Sequence, residues 1–116
     1  MEFLKKQPVF LNDWSDKVGV ANDFQTNLDN VNILFASYAY ANYSGDAFVL
    51  FEQDGKLFEV NGGHCSCYGL EGQWEPEETT VEAIKYRLYE GKMGQDDWCG
   101  NQYGNELKEF INETNI

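Results

Sequence analysis

The chain has 116 residues, about one ordinary domain, with 42% hydrophobic and 16% aromatic residues, which is enough for a core without metals or disulfides. Twenty Asp and Glu stand against eight Lys and Arg, a formal net charge of −12. That balance argues against direct binding to a nucleic-acid backbone or an anionic membrane, since both need cationic groups. The aromatic content argues against an acidic disordered tail.

The start, Met1 to Lys6, has no sustained apolar run, and no stretch approaches the ~20 apolar residues of a membrane span. Three cysteines, Cys65, Cys67 and Cys99, are an odd number and do not suit a secreted disulfide framework. The expected location is a reducing cytoplasm, so the Asn-x-Ser/Thr triplets at Asn42 and Asn112 carry no meaning for glycosylation.

In the first thirty residues the apolar positions Phe3, Leu4, Val9, Phe10, Leu11, Trp14, Val18 and Val20 are broken up by Pro8 and several Asn and Asp. Short elements and loops are expected there, with a helical turn over Asn22 to Leu28. Whether this region joins a sheet or wraps around it is open. Val31 to Ala41 is rich in β-branched and aromatic residues and reads as a strand. The turn formers 42–46 follow, then a second apolar run from Ala47 to Gln53. Asp54-Gly55 is a two-residue hairpin signal, and Lys56 to Val60 closes the hairpin. On the pleat, Leu57 and Glu59 face opposite Phe58 and Val60. A fourth short strand is expected at Gly72 to Glu75.

Helices come last. Thr79-Thr80-Val81-Glu82 has the form of a capping box, and the acids before it suit a positive helix N-terminus. Val81, Ile84 and Leu88, with Ala83 and Tyr86 nearby, are expected to form one apolar face, and Gly91 to stop the helix. A second helix is expected over Asn105 to Asn112, burying Leu107, Phe110 and Ile111. The predicted architecture is a single α+β domain, 1–116: an antiparallel meander of three to four strands with two C-terminal helices on one face.

The residues with the most chemistry are His64, Cys65 and Cys67, with Cys99 as a fourth candidate ligand. Thiolates and imidazole are the ligands zinc prefers, and a Cys3His site would need these four. The spacing departs from the usual Cys-x2-Cys pairs, so reduced cysteines packed at a strand end are the competing reading. A nucleophilic Cys65 or Cys67 would have to pair with His64, the sole histidine, and no oxyanion motif or orienting third residue accompanies it. A carboxylate site at Asp96 and Asp97 has no better support. No P-loop, dinucleotide fingerprint or nucleophile elbow is present. Neither a catalytic residue nor a cofactor is assigned.

Between Leu57 and Ile84 lie six acids, Glu59, Glu71, Glu75, Glu77, Glu78 and Glu82, and no Lys or Arg. Trp74 sits within that run. An acidic rim around an aromatic anchor suits a steered protein interface with a basic surface, such as that of a nucleic-acid-binding protein. The competing reading puts Trp74 in the core, the glutamates as a solvated helix start, and the acidity as an aid to solubility.

Residues 62–80, running Gly-Gly-His-Cys-Ser-Cys-Tyr-Gly-Leu-Glu-Gly-Gln-Trp-Glu-Pro-Glu-Glu-Thr-Thr, resemble a family of small acidic phage and prophage proteins with no assigned activity. The resemblance covers the hairpin, this motif and the following helix, about half of the chain, and carries no site residues over. It implies phage or mobile-element biology inside a bacterial host cell. Joined to the charge, it points to an inhibitor of a bacterial defence protein such as a CRISPR effector or a restriction system. The alternatives are a zinc-stabilised interaction module and, less favoured, a cysteine-dependent enzyme.

Overall fold

A computed structural model describes residues 8–12, 14–41, 44–64, 69–91, 93–96, 100–101 and 103–114. Its centre is the expected meander. Strand β2 (Asn32–Ala41) pairs antiparallel with β3 (Ser44–Gln53), and β3 pairs antiparallel with β4 (Lys56–His64). Asp54 and Gly55 both have positive φ, 56° and 79°, as the tight hairpin turn between twisted strands requires. Glu52 supports the turn by accepting the Gly55 N–H at 2.7 Å.

The sheet has five strands in the order β1-β2-β3-β4-β5, so neighbours in sequence are neighbours in space. The N-terminal region joins it: β1 (Val9–Asn12) pairs parallel with β2, and α1 (Lys17–Phe24) makes the crossover. This helix begins five residues before the expected turn at 22–28 and overlaps it over 22–24. Asp16 caps it by accepting the Gly19 N–H at 2.9 Å, and Gln25 ends it in the left-handed region at φ 54°. Val20 and Phe24, four apart, supply the buried stripe.

The fourth meander strand is β5 (Glu77–Glu78), paired antiparallel with β4, and not Gly72 to Glu75. A reason is local. Gly72 turns the chain with φ 81°, and Pro76 has no N–H to give to a ladder. Helix α2 (Val81–Glu90) follows at once, and α3 (Gly104–Thr114) comes after the short β6 (Gln95–Asp96) and β7 (Gly100–Asn101) pair. The α2 cap is Thr80, one residue later than the capping box implies. Its hydroxyl accepts from Ala83, leaving Glu82 at the second helical position rather than the third.

Both faces of the sheet are covered. On one, α1 packs Val20 and Phe24 against Ile33, Ala36, Tyr38, Val49, Phe51 and Val60, with Trp14, Leu28 and Leu70 completing the layer. On the other, the two C-terminal helices pack Ile84, Leu88, Leu107, Phe110 and Ile111 onto Leu34, Phe35, Phe48, Leu50 and Leu57. A bulge between Ile33 and Phe35 switches the phase of β2. Ile33 therefore faces α1, while both Leu34 and Phe35 face α2 and α3. Among the described residues no helix is long and apolar enough to cross a membrane.

Candidate protein-binding surface

The segment from the end of β4 to α2 holds the acidic run, and one side chain organises its start. Gln73 donates to the carbonyls of Gly63 (2.7 Å) and Gly69 (2.8 Å) and accepts the Gly63 N–H at 2.8 Å. These bonds tie residue 69 back to the end of β4 and draw both chain ends of 64–69 together. Leu70 fills the α1-side core at 2% exposure. Trp74 is half-buried beside it, stacked on Phe51 (centroids 5.5 Å apart, 19°) and edge-on to Phe24 at 5.1 Å. The indole thus closes the rim of the core, and only part of it is open to a partner.

From there the chain forms the two-residue edge strand β5 and enters α2. Glu71, Glu75, Glu77, Glu78 and Glu82 are all exposed. Glu77 and Glu78 form the edge strand itself, where charge also blunts unwanted strand pairing.

Glu59 differs from the other five. It faces α2 from β4, is only 5% exposed, and forms a two-pronged ion pair with Arg87. Asn61 donates to the same carboxylate at 2.9 Å. Burial alone would raise the Glu59 carboxyl, but the bonds from Arg87, Asn61 and Thr79 outweigh it and hold the group below the ordinary carboxylate range. The bond to Glu59 pushes the Arg87 guanidinium up, against the effect of burial. Among the sequence-predicted acids Glu59 is therefore a buried partner of Arg87, not part of the exposed edge.

No family model, curated protein or solved structure matches this chain.

The ion pair engages the chain's single arginine, which stays 42% exposed and also interacts with the Glu77 charge. The stretch from Glu71 to Glu82 carries five exposed carboxylates and no Lys or Arg within it. Exposed charges of one sign sum to a negative field that attracts a basic surface over roughly the 8–10 Å Debye length of physiological salt.

Two aromatic residues of α2 lie in solvent. Tyr86 was expected on the apolar face of α2, yet it is 69% exposed, and Tyr89 is 55% exposed. The phase was available: Tyr86 lies two residues from both Ile84 and Leu88, about 200° around the helix from each. Ala83, also expected near the apolar face, is exposed too, about 100° around the helix from Ile84. Lys108 of α3 sits over the Tyr89 ring, its Nζ 4.9 Å from the centroid.

The candidate ligands Cys65, Cys67 and Cys99, the His64 side chain, Asp97 and the Asp96 side chain lie outside the described residues. Among the described residues no group of three or more His, Cys, Asp and Glu side chains is placed to hold a metal ion. A shallow depression of about 490 Å³ lies at the C-terminal end of α1, lined by Ala21, Asn22, Gln25 and the 26–29 loop. It shares no residue with the acidic edge.

Proposed function

We propose that this protein is a small acidic inhibitor of phage or mobile-element type that binds a nucleic-acid-handling defence protein of its bacterial host, of the CRISPR-effector or restriction class. It acts in the host cytoplasm by occupying a positively charged channel in place of phosphates, and it performs no chemistry. The observation that carries this reading is the run of exposed carboxylates Glu71, Glu75, Glu77, Glu78 and Glu82, with no Lys or Arg among them in the sequence, on a chain of net charge −12. The likeness of residues 62–80 to small acidic phage proteins supports the biological setting.

The test is affinity capture from nuclease-treated bacterial lysate containing CRISPR and restriction machinery, eluted with rising salt and then competed with DNA. Recovery of a nucleic-acid-binding protein that elutes with salt and is displaced by DNA supports the reading. A partner whose binding ignores both salt and DNA refutes charge mimicry, because screening must weaken an exposed electrostatic contact.

A further inference from the structure

Helix α2 has two sides with different work. Ile84 and Leu88 are buried against the sheet, and Arg87 reaches inward to Glu59. On the opposite side Glu82, Tyr86, Tyr89 and Glu90 recur at helical spacing and are all exposed. Glu82 and Glu90 lie one turn before and one turn after Tyr86, which puts each within side-chain reach of its ring. Tyrosine on an exposed helix face offers a large, rigid contact area with few rotatable bonds, and it is enriched in binding hot spots.

The chemistry of an occupant follows from the charges and rings present. Carboxylates on either side of an aromatic ring repel phosphate and attract cations. One ring of the pair already takes a cation, since Lys108 stands over Tyr89 at 4.9 Å. The neighbouring Tyr86 ring has the same π-face and sits between two acids. A planar guanidinium can stack on such a ring and still bond a carboxylate through its edge, which an ammonium point charge does less well.

We infer that the outer face of α2, centred on Tyr86 with Glu82 and Glu90, is where this protein docks an arginine-bearing segment of a basic protein partner. The inference rests on the acidic-binder reading above and deepens it. The sheet-edge acids steer the encounter, and the Tyr86 face supplies the short-range recognition of arginine over lysine.

The experiment measures fluorescence anisotropy of labelled oligo-arginine and oligo-lysine peptides of equal length with the full chain at low salt. The variants are Tyr86→Ala, the double Glu82→Gln/Glu90→Gln, and the edge control Glu71→Gln/Glu75→Gln. All four chains should keep the same circular dichroism and melting temperature, since every altered side chain is exposed. Expected is tighter binding of the arginine peptide by the wild type. Tyr86→Ala should weaken it by about threefold to tenfold, with a smaller loss for the lysine peptide. The Glu82/Glu90 double variant should weaken both peptides. Arginine binding unchanged by Tyr86→Ala and by the Glu82/Glu90 change overturns the inference. If the edge control alone then weakens binding, the acidic-binder reading survives with its contact elsewhere. No binding of either peptide by the wild type overturns both.

Discussion

Arg87 on α2 and Glu59 on β4, 28 residues apart, meet across the interface between helix and sheet, with Arg87 Nη1 2.9 Å from Glu59 Oε1 and Nη2 against Oε2. The pair joins the last turn of α2 to β4, so it fastens the helix to the strand that β5 borders. Thr79, just before α2, also ties to β4: its N–H donates to the Leu57 carbonyl at 2.9 Å and its side chain bonds the Glu59 carboxylate.

Arg87→Ala is expected to destabilise the fold by about 2–3 kcal/mol, because it leaves the Glu59 carboxylate buried without its cation. The figure lies below that for a wholly buried pair, since the arginine side chain is 42% exposed. Urea unfolding at neutral pH measures it. A change under about 0.5 kcal/mol, the range of ordinary surface substitutions, would show that the pair contributes little.

The same pair sets a pH dependence. The folded pKa of Glu59 lies below its unfolded value, so its stabilising contribution is complete above the ordinary glutamate value of 4.5. It is lost as pH falls through the lower folded value, when the folded state must take up the proton. Arg87 stays charged throughout that window. Glu59→Gln should therefore be less stable than wild type at pH 7, and the gap should narrow below pH 4.5. Urea midpoints of both chains across that window decide it, and a gap independent of pH would contradict the assignment.

Gln73 is the next position with a defined cost. Gln73→Ala removes three hydrogen bonds at the mouth of the 64–69 segment, two of them to carbonyls and one from an N–H. A loss of about 2 kcal/mol is expected from partly buried bonds of this kind. Gln73→Glu should do no better, despite its equal size. Its carboxylate can accept from Gly63 but faces the Gly63 and Gly69 carbonyls with no proton to offer. Thermal melting of the two variants side by side distinguishes these donor bonds from simple packing, for which the glutamate would resemble wild type.

Gly94 should tolerate no side chain. It has φ 76°, and a Cβ there would lie 2.4 Å from the Gly104 nitrogen and 2.5 Å from its Cα. Tyr103 and Gly104 both donate their N–H to the Gly94 carbonyl, so this contact anchors the start of α3. Gly94→Ala is expected to cost at least about 2 kcal/mol, a drop of roughly 10 °C in Tm. An unchanged Tm would mean that α3 can shift at no cost.

Much of the frame is legible in local chemistry. The Asp54-Gly55 turn, the alternation of Leu57 and Glu59 with Phe58 and Val60, and the apolar spacing of Leu107, Phe110 and Ile111 each act within a few residues. Short-range signals of this kind are complete in the sequence. They were enough for the meander, the α+β class and the two helices on one face. The Asp16 cap with the Val20 and Phe24 pair was also local, but Gly19 and the surrounding polar residues masked it.

The surface was decided by pairing over distance. Six acids stand together in the sequence, and only the fold separates Glu59 from the rest, because strand alternation turns it toward an arginine that α2 delivers from 28 residues away. Trp74 meets Phe24 and Phe51 only because Gln73 holds the chain back against β4. The bulge at Ile33 and Phe35 reverses the faces of one strand, which no period-two count reveals. Local sequence thus determined which elements form, since turns, caps and periodicity are short-range physics. Which of the six carboxylates is buried, and how far Trp74 is covered, was settled by tertiary packing, which depends on partners the chain brings together only when folded.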